Sequence, residues 1–119
     1  MPKKLVLIFL FLLAVADVYA VNVSEDTTSN RRKAEALFIE GKTLELKNNY
    51  LGAIENYKTA LQFDKAPGIY YALGDLYYFL GKYEDALQYT KKALDVSPRD
   101  TEYLERLSSV YIVLNAPPK

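Results

Sequence analysis

Apolar residues recur along the middle of this chain at helical spacing, and the whole pattern then comes round a second time. Leu37, Gly41 and Leu44 fall at steps of four and three, which predicts one side of a first helix. Tyr50, Ala53, Ile54, Tyr57, Ala60 and Leu61 predict a second helix, and Tyr70, Leu73, Gly74 and Tyr77 a third. Tyr83, Ala86, Leu87, Thr90, Ala93 and Leu94 predict a fourth. A fifth is expected from about Asp100 to Asn115, before Pro117 and Pro118 stop it. The breaks are equally regular. Asn48-Asn49 stands where Gly81-Lys82 stands one repeat later, and Asn and Gly most readily take the left-handed conformation that closes a helix. Asp64-Lys65-Ala66-Pro67-Gly68 separates the second helix from the third, and Ser97-Pro98 ends the fourth.

Tyr50 and Tyr83, Ala53 and Ala86, Ala60 and Ala93, and Gly41 and Gly74 are each 33 residues apart. A period in this range marks stacked modules rather than one closed core, so the expected fold class is all-α, built of antiparallel helix-turn-helix pairs. The small residues say where the helices meet. Gly41 and Gly74 on the first helix of each pair, with Ala53 and Ala86 on the second, remove side-chain bulk where two helices cross closely.

The N-terminus has a different pattern. Lys3 and Lys4 are followed by an unbroken apolar run, Leu5 to Ala16, and then by Val18-Tyr19-Ala20, a small-x-small stop before polar sequence. This reads as a secretory signal peptide, 1–20, with cleavage expected after Ala20. The apolar run would span roughly 18 Å as a helix, short of the ~30 Å hydrocarbon core, so no stable membrane insertion is expected once the signal is removed. An uncleaved signal acting as an anchor is the alternative. Residues 21–33 are polar without helical apolar spacing and are expected to be a flexible lead-in. Asn22-Val23-Ser24 matches a glycosylation acceptor, but it lies almost on the cleavage point and such matches are common by chance.

Composition narrows the chemistry. Lys plus Arg and Asp plus Glu are both 15, so no net field draws the chain to nucleic acid. The basic cluster Arg31-Arg32-Lys33 reads as a solvated face. Histidine and cysteine are absent, which removes imidazole and thiolate as bases, nucleophiles and metal ligands and excludes disulfides. No cofactor and no metal site is expected. Glu84-Asp85 is a tempting carboxylate pair, but it lies in the first turn of a helix, where acids meet the helix dipole favourably. No enzyme is expected. Export without cysteines suits a secreted or periplasmic setting.

The repeated residues resemble the tetratricopeptide repeats, helix-turn-helix modules of about 34 residues. The second unit matches best, through Tyr70, Leu73, Gly74, Tyr77, Ala86, Ala93 and Pro98, with Thr90 standing where an aromatic is usual. The first keeps Gly41, Ala53, Tyr57 and Ala60 but departs at Leu37, Glu40, Leu44 and Lys65. A half unit begins with Leu104, Leu107 and Tyr111, where Ser108 replaces Gly. The units are 34–66, 67–100 and 101–116, with a tail at 117–119.

The resemblance implies a short right-handed α-solenoid whose concave groove, lined by the first helix of each pair, receives a peptide or a partner's helix. That groove would present Phe38, Ile39, Lys42 and Leu46, then Tyr71, Asp75, Tyr78 and Phe79, then Arg106, Ser109, Ile112 and Val113. Members that grip acidic chaperone C-termini use Lys and Asn along this face. Here Phe38, Lys42, Ala72 and Glu102 hold the matching places and only Arg106 agrees, so that clamp is not expected. The expected function is therefore protein–protein interaction, in envelope assembly or scaffolding, with an unidentified protein or peptide. The alternative is a self-associating structural component. Val110-Tyr111-Ile112-Val113-Leu114 is apolar on all sides of the last helix, so Ile112, Val113 and Leu114 are candidates for a homo-oligomer interface.

Overall fold

The structure is a computed structural model that describes residues 3–117, with the side chains of 20–24 left aside. Five helices follow in order: α1 Lys3–Leu46, α2 Tyr50–Phe63, α3 Pro67–Phe79, α4 Tyr83–Val96 and α5 Thr101–Leu114. No strand occurs among the described residues. The chain divides into two compact units between Arg32 and Lys33.

In the unit before Lys33 the backbone is helical from Lys3 onward, and Leu5 to Leu13 are all exposed apolar side chains. No helix is long and apolar enough among the described residues to cross a membrane. The stretch 21–33, expected to be flexible on its polarity, is helix instead. Polarity reports contact with solvent, whereas breaking a helix takes Pro or Gly, and neither occurs between Pro2 and Gly41. The glycosylation match and the Ala20 cleavage point fall where side chains are not described, and Pro118 and Lys119 lie outside the described residues.

In the unit from Lys33 onward the two repeats close their first helices in the same way. Asn48 and Gly81 take left-handed φ values of 62° and 75°. In each case the next amide reaches back to the last turn, Asn49 N–H to the Leu44 carbonyl at 2.8 Å and Lys82 N–H to the Tyr77 carbonyl at 2.9 Å. Asn49 then caps α2, its side chain accepting the Gly52 amide at 3.0 Å. Asp100 caps α5 similarly, accepting from the Tyr103 amide at 3.2 Å. Pro67 opens α3, where its missing N–H costs nothing.

The predicted crossing points are in the core. Ala53 and Ala86 are fully buried and Gly41 and Gly74 are buried. A methyl group on Gly41 would lie 2.5 Å from Cε1 of Tyr57, and one on Gly74 2.6 Å from Oγ1 of Thr90. Tyr57 and Thr90 are themselves 33 residues apart, so one contact is made twice with different fillers. The difference propagates. Phe38 packs on the Tyr57 ring at 5.5 Å, whereas its counterpart Tyr71 stacks on Tyr103 of α5 at 4.8 Å. The Thr90 hydroxyl is buried and has no hydrogen-bond partner.

Candidate functional site

The face carried by α1, α3 and α5 places the predicted groove residues in two clusters. In the first, Asp75 of α3 pairs with the Arg106 guanidinium of α5 at 2.5 Å, and that guanidinium lies 4.4 Å from the Tyr78 ring centroid. A planar cation held on one side by a carboxylate and on another by a phenol ring has little freedom left. Its Nε is buried without a hydrogen-bond partner. Tyr78 also meets Tyr83 edge-on at 5.4 Å.

The second cluster surrounds a hollow of about 330 Å³ lined by Lys42, Glu45, Leu46, Tyr50 and Phe79. Leu46 and Phe79 are 86% and 68% exposed, an apolar pair that covers nothing within the chain beyond the Phe79 ring's 5.4 Å contact with Tyr50. Glu45 is fixed from below. It accepts the Tyr57 hydroxyl at 2.6 Å and the Lys42 ammonium at 3.5 Å. Glu45 was not among the predicted residues, although it stands 33 positions before Tyr78 and the repeat register leads to it.

The remaining groove candidates divide between exposure and packing. Ile39 is 59% exposed, while Phe38 and Tyr71 are half-buried against neighbouring rings. The Ser109 hydroxyl donates to the Glu105 carbonyl of its own helix at 3.0 Å. The three candidates for an oligomer interface do not share one open face. Ile112 is exposed, Val113 is half-buried, and Leu114 packs against the core, because α5 turns it inward with the fully buried Val110. The open face of α5 is a different one, a hollow of about 510 Å³ lined by Leu104, Leu107, Ser108, Tyr111, Ile112 and Asn115.

Four phenols are held above their ordinary value of 10.0. Burial is the first cause in each, reinforced for Tyr57 by the bond to Glu45 and for Tyr71, pushed up to about 12, by one to Glu102. Each keeps its proton in the folded chain beyond the pH at which the unfolded chain releases it. Folding therefore takes up protons above pH 10, and stability falls as pH rises past that value. The melting temperature is expected to hold from neutrality to about pH 9.5 and to drop steadily above it, less steeply in Tyr71→Phe. A flat profile up to about pH 11.5 in thermal melts would contradict this.

These pairs of helices, each laid against the next, define a helical repeat protein. Residues 67–100 match the tetratricopeptide repeat model, so the chain carries a tetratricopeptide repeat there, spanning α3 and α4. Regulatory protein RapG of Bacillus subtilis is 32% identical over 97 residues, covering 76% of this chain and 27% of that protein. Photosystem I assembly protein Ycf3 of Cuscuta gronovii is 30% identical over 76 residues, covering 60% of this chain and 45% of the relative. The chain thus spans less than half the length of either curated relative. Among solved structures, the first tetratricopeptide repeat domain of Spaghetti (RPAP3) bound to the HSP90 peptide SRMEEVD is similar at TM-score 0.42 and 16% identity, covering 72% of this chain and 96% of that one.

Proposed function

We propose that this chain is an exported interaction module that takes a peptide or a partner's helix on the face of α1, α3 and α5, and serves as an envelope assembly or scaffold factor. The observation that carries the binding reading is the exposed pair Leu46 and Phe79 beside the hollow closed by Lys42, Glu45 and Tyr50. Exposed large apolar side chains next to a concavity with convergent polar groups favour an apolar anchor residue from a partner. A free acidic C-terminus fits less well, since Arg106 already serves Asp75. Export is supported by Lys3, Lys4 and the apolar run up to Ala16.

The test is to select peptides from a displayed library on the full chain and measure the best binder by fluorescence anisotropy. Phe79→Ala is expected to weaken it by about 10–100-fold, the range of an interface anchor. Unchanged affinity in both Phe79→Ala and Leu46→Ala would overturn the site. The exported chain is expected to begin at Val21, and an intact Met1 in a membrane-retained product would favour the anchored alternative.

A further inference from the structure

We propose that the open face of α5 is a docking surface for the same face of a second copy of this chain, packed antiparallel about Ser108. The repeat register shows what kind of object the face is shaped for. Leu104, Leu107, Ser108 and Tyr111 stand 34 residues after Tyr70, Leu73, Gly74 and Tyr77. On α3 those positions lie under α4, with Gly74 against Thr90 and Tyr77 stacked on Tyr89 at 5.5 Å. On α5 they border an open hollow, and Leu104, Tyr111 and Ile112 are 44%, 39% and 69% exposed. The face is thus a helix-receiving surface without its helix among the described residues.

The sequence of α5 is complementary to itself when reversed about Ser108. Leu104 then meets Ile112 of the other copy, Glu105 meets Tyr111, and Thr101 meets Asn115 at either end. Ser108 sits at the crossing, where a small side chain lets two helices approach closely. Charge agrees with this register. Lys91 of α4 holds its ammonium 5.8 Å from the Tyr111 ring, so in the pair it faces Glu105 of the second copy. Neither Lys91 nor Glu105 forms an ion pair among the described residues, and a two-fold axis makes the new one twice. An unrelated partner helix would have no reason to match Lys91 and Glu105 across such an axis. One helix of about 21 Å is a small contact, so the dimer is expected to be reversible and concentration-dependent.

The chain has no cysteine, so a single introduced thiol reports one position only. In the full chain, Ser108→Cys is expected to form a disulfide-linked dimer under mild oxidation at least about tenfold faster than Glu55→Cys on the exposed side of α2, because only at the axis do two Cα atoms come within bridging distance. Glu105→Lys added to Ser108→Cys is expected to slow linkage by about threefold to tenfold, and Lys91→Glu added to both to restore it. Equal rates at 108 and 55 would overturn the proposal, including the case of association through the apolar Leu5–Leu13 stretch, which favours neither site. A thiol at 108 that is shielded in a monomer, or charge reversals without effect, would overturn it too.

Discussion

Replacing Tyr57 by alanine is expected to destabilise the repeat unit by about 3–5 kcal/mol, out of the roughly 5–15 kcal/mol that holds a domain of this size together. The side chain is fully buried, fills the space over Gly41, and carries the Phe38 ring at 5.5 Å. Truncation leaves a cavity that the backbone of α1 cannot close without moving Gly41. Glu45 would also lose the hydroxyl that donates to it at 2.6 Å. Tyr57→Phe separates the two contributions, since it keeps the ring and removes only a hydrogen bond to a carboxylate, worth about 1.5–3 kcal/mol. Urea unfolding followed by circular dichroism reads both variants. A loss below about 1.5 kcal/mol for Tyr57→Ala would mean that the ring is not the keystone of the first repeat.

Gly74→Ala tests the second repeat with an effect whose sign is informative. In the middle of a helix, alanine is favoured over glycine by about 0.5–1 kcal/mol, so propensity alone predicts stabilisation. Packing predicts the opposite. The added methyl would lie 2.6 Å from Oγ1 of Thr90 and 3.2 Å from its backbone nitrogen, and a backbone atom cannot swing aside. The expected net result is a loss of about 1–3 kcal/mol. Thr90→Ala in the same chain is expected to recover part of it, since the Thr90 hydroxyl has no hydrogen bond to lose. Gly68→Ala provides the control, because nothing lies within 4 Å of its would-be methyl. Stabilisation by Gly74→Ala in thermal melts would remove the close crossing from the account of this fold.

The helix pairs are legible in the sequence because their signals are local. Asn48 and Gly81 close helices through a backbone preference of the residue itself, and the 33-residue register follows from counting. The continuation of α1 through 21–33 is not legible in this way, since polar residues without helical apolar spacing suit an exposed helix as well as a flexible strand of chain. At the candidate site, the register correctly brings Leu46 to Phe79 and Lys42 to Asp75 as equivalents. It does not reveal contacts between rows. Arg106 stands one helical turn out of step with Asp75, so their ion pair depends on how α5 is rotated against α3. The same rotation puts Leu114 against the core and opens Leu104 and Ser108 instead, a choice that an all-apolar stretch leaves undetermined.

The exchange of Tyr57 for Thr90 between the two repeats makes them unequal in autonomy. In the first repeat, the aromatic ring of the leading helix finds its mate within its own pair, Phe38 on Tyr57. In the second, Tyr71 must borrow Tyr103 from the next helix. Fraying of α5 therefore uncovers a ring belonging to α3, while the first pair has no comparable debt to a neighbour. Cooperativity along this short array accordingly has a direction: the C-terminal helix acts as a clasp for the repeat before it.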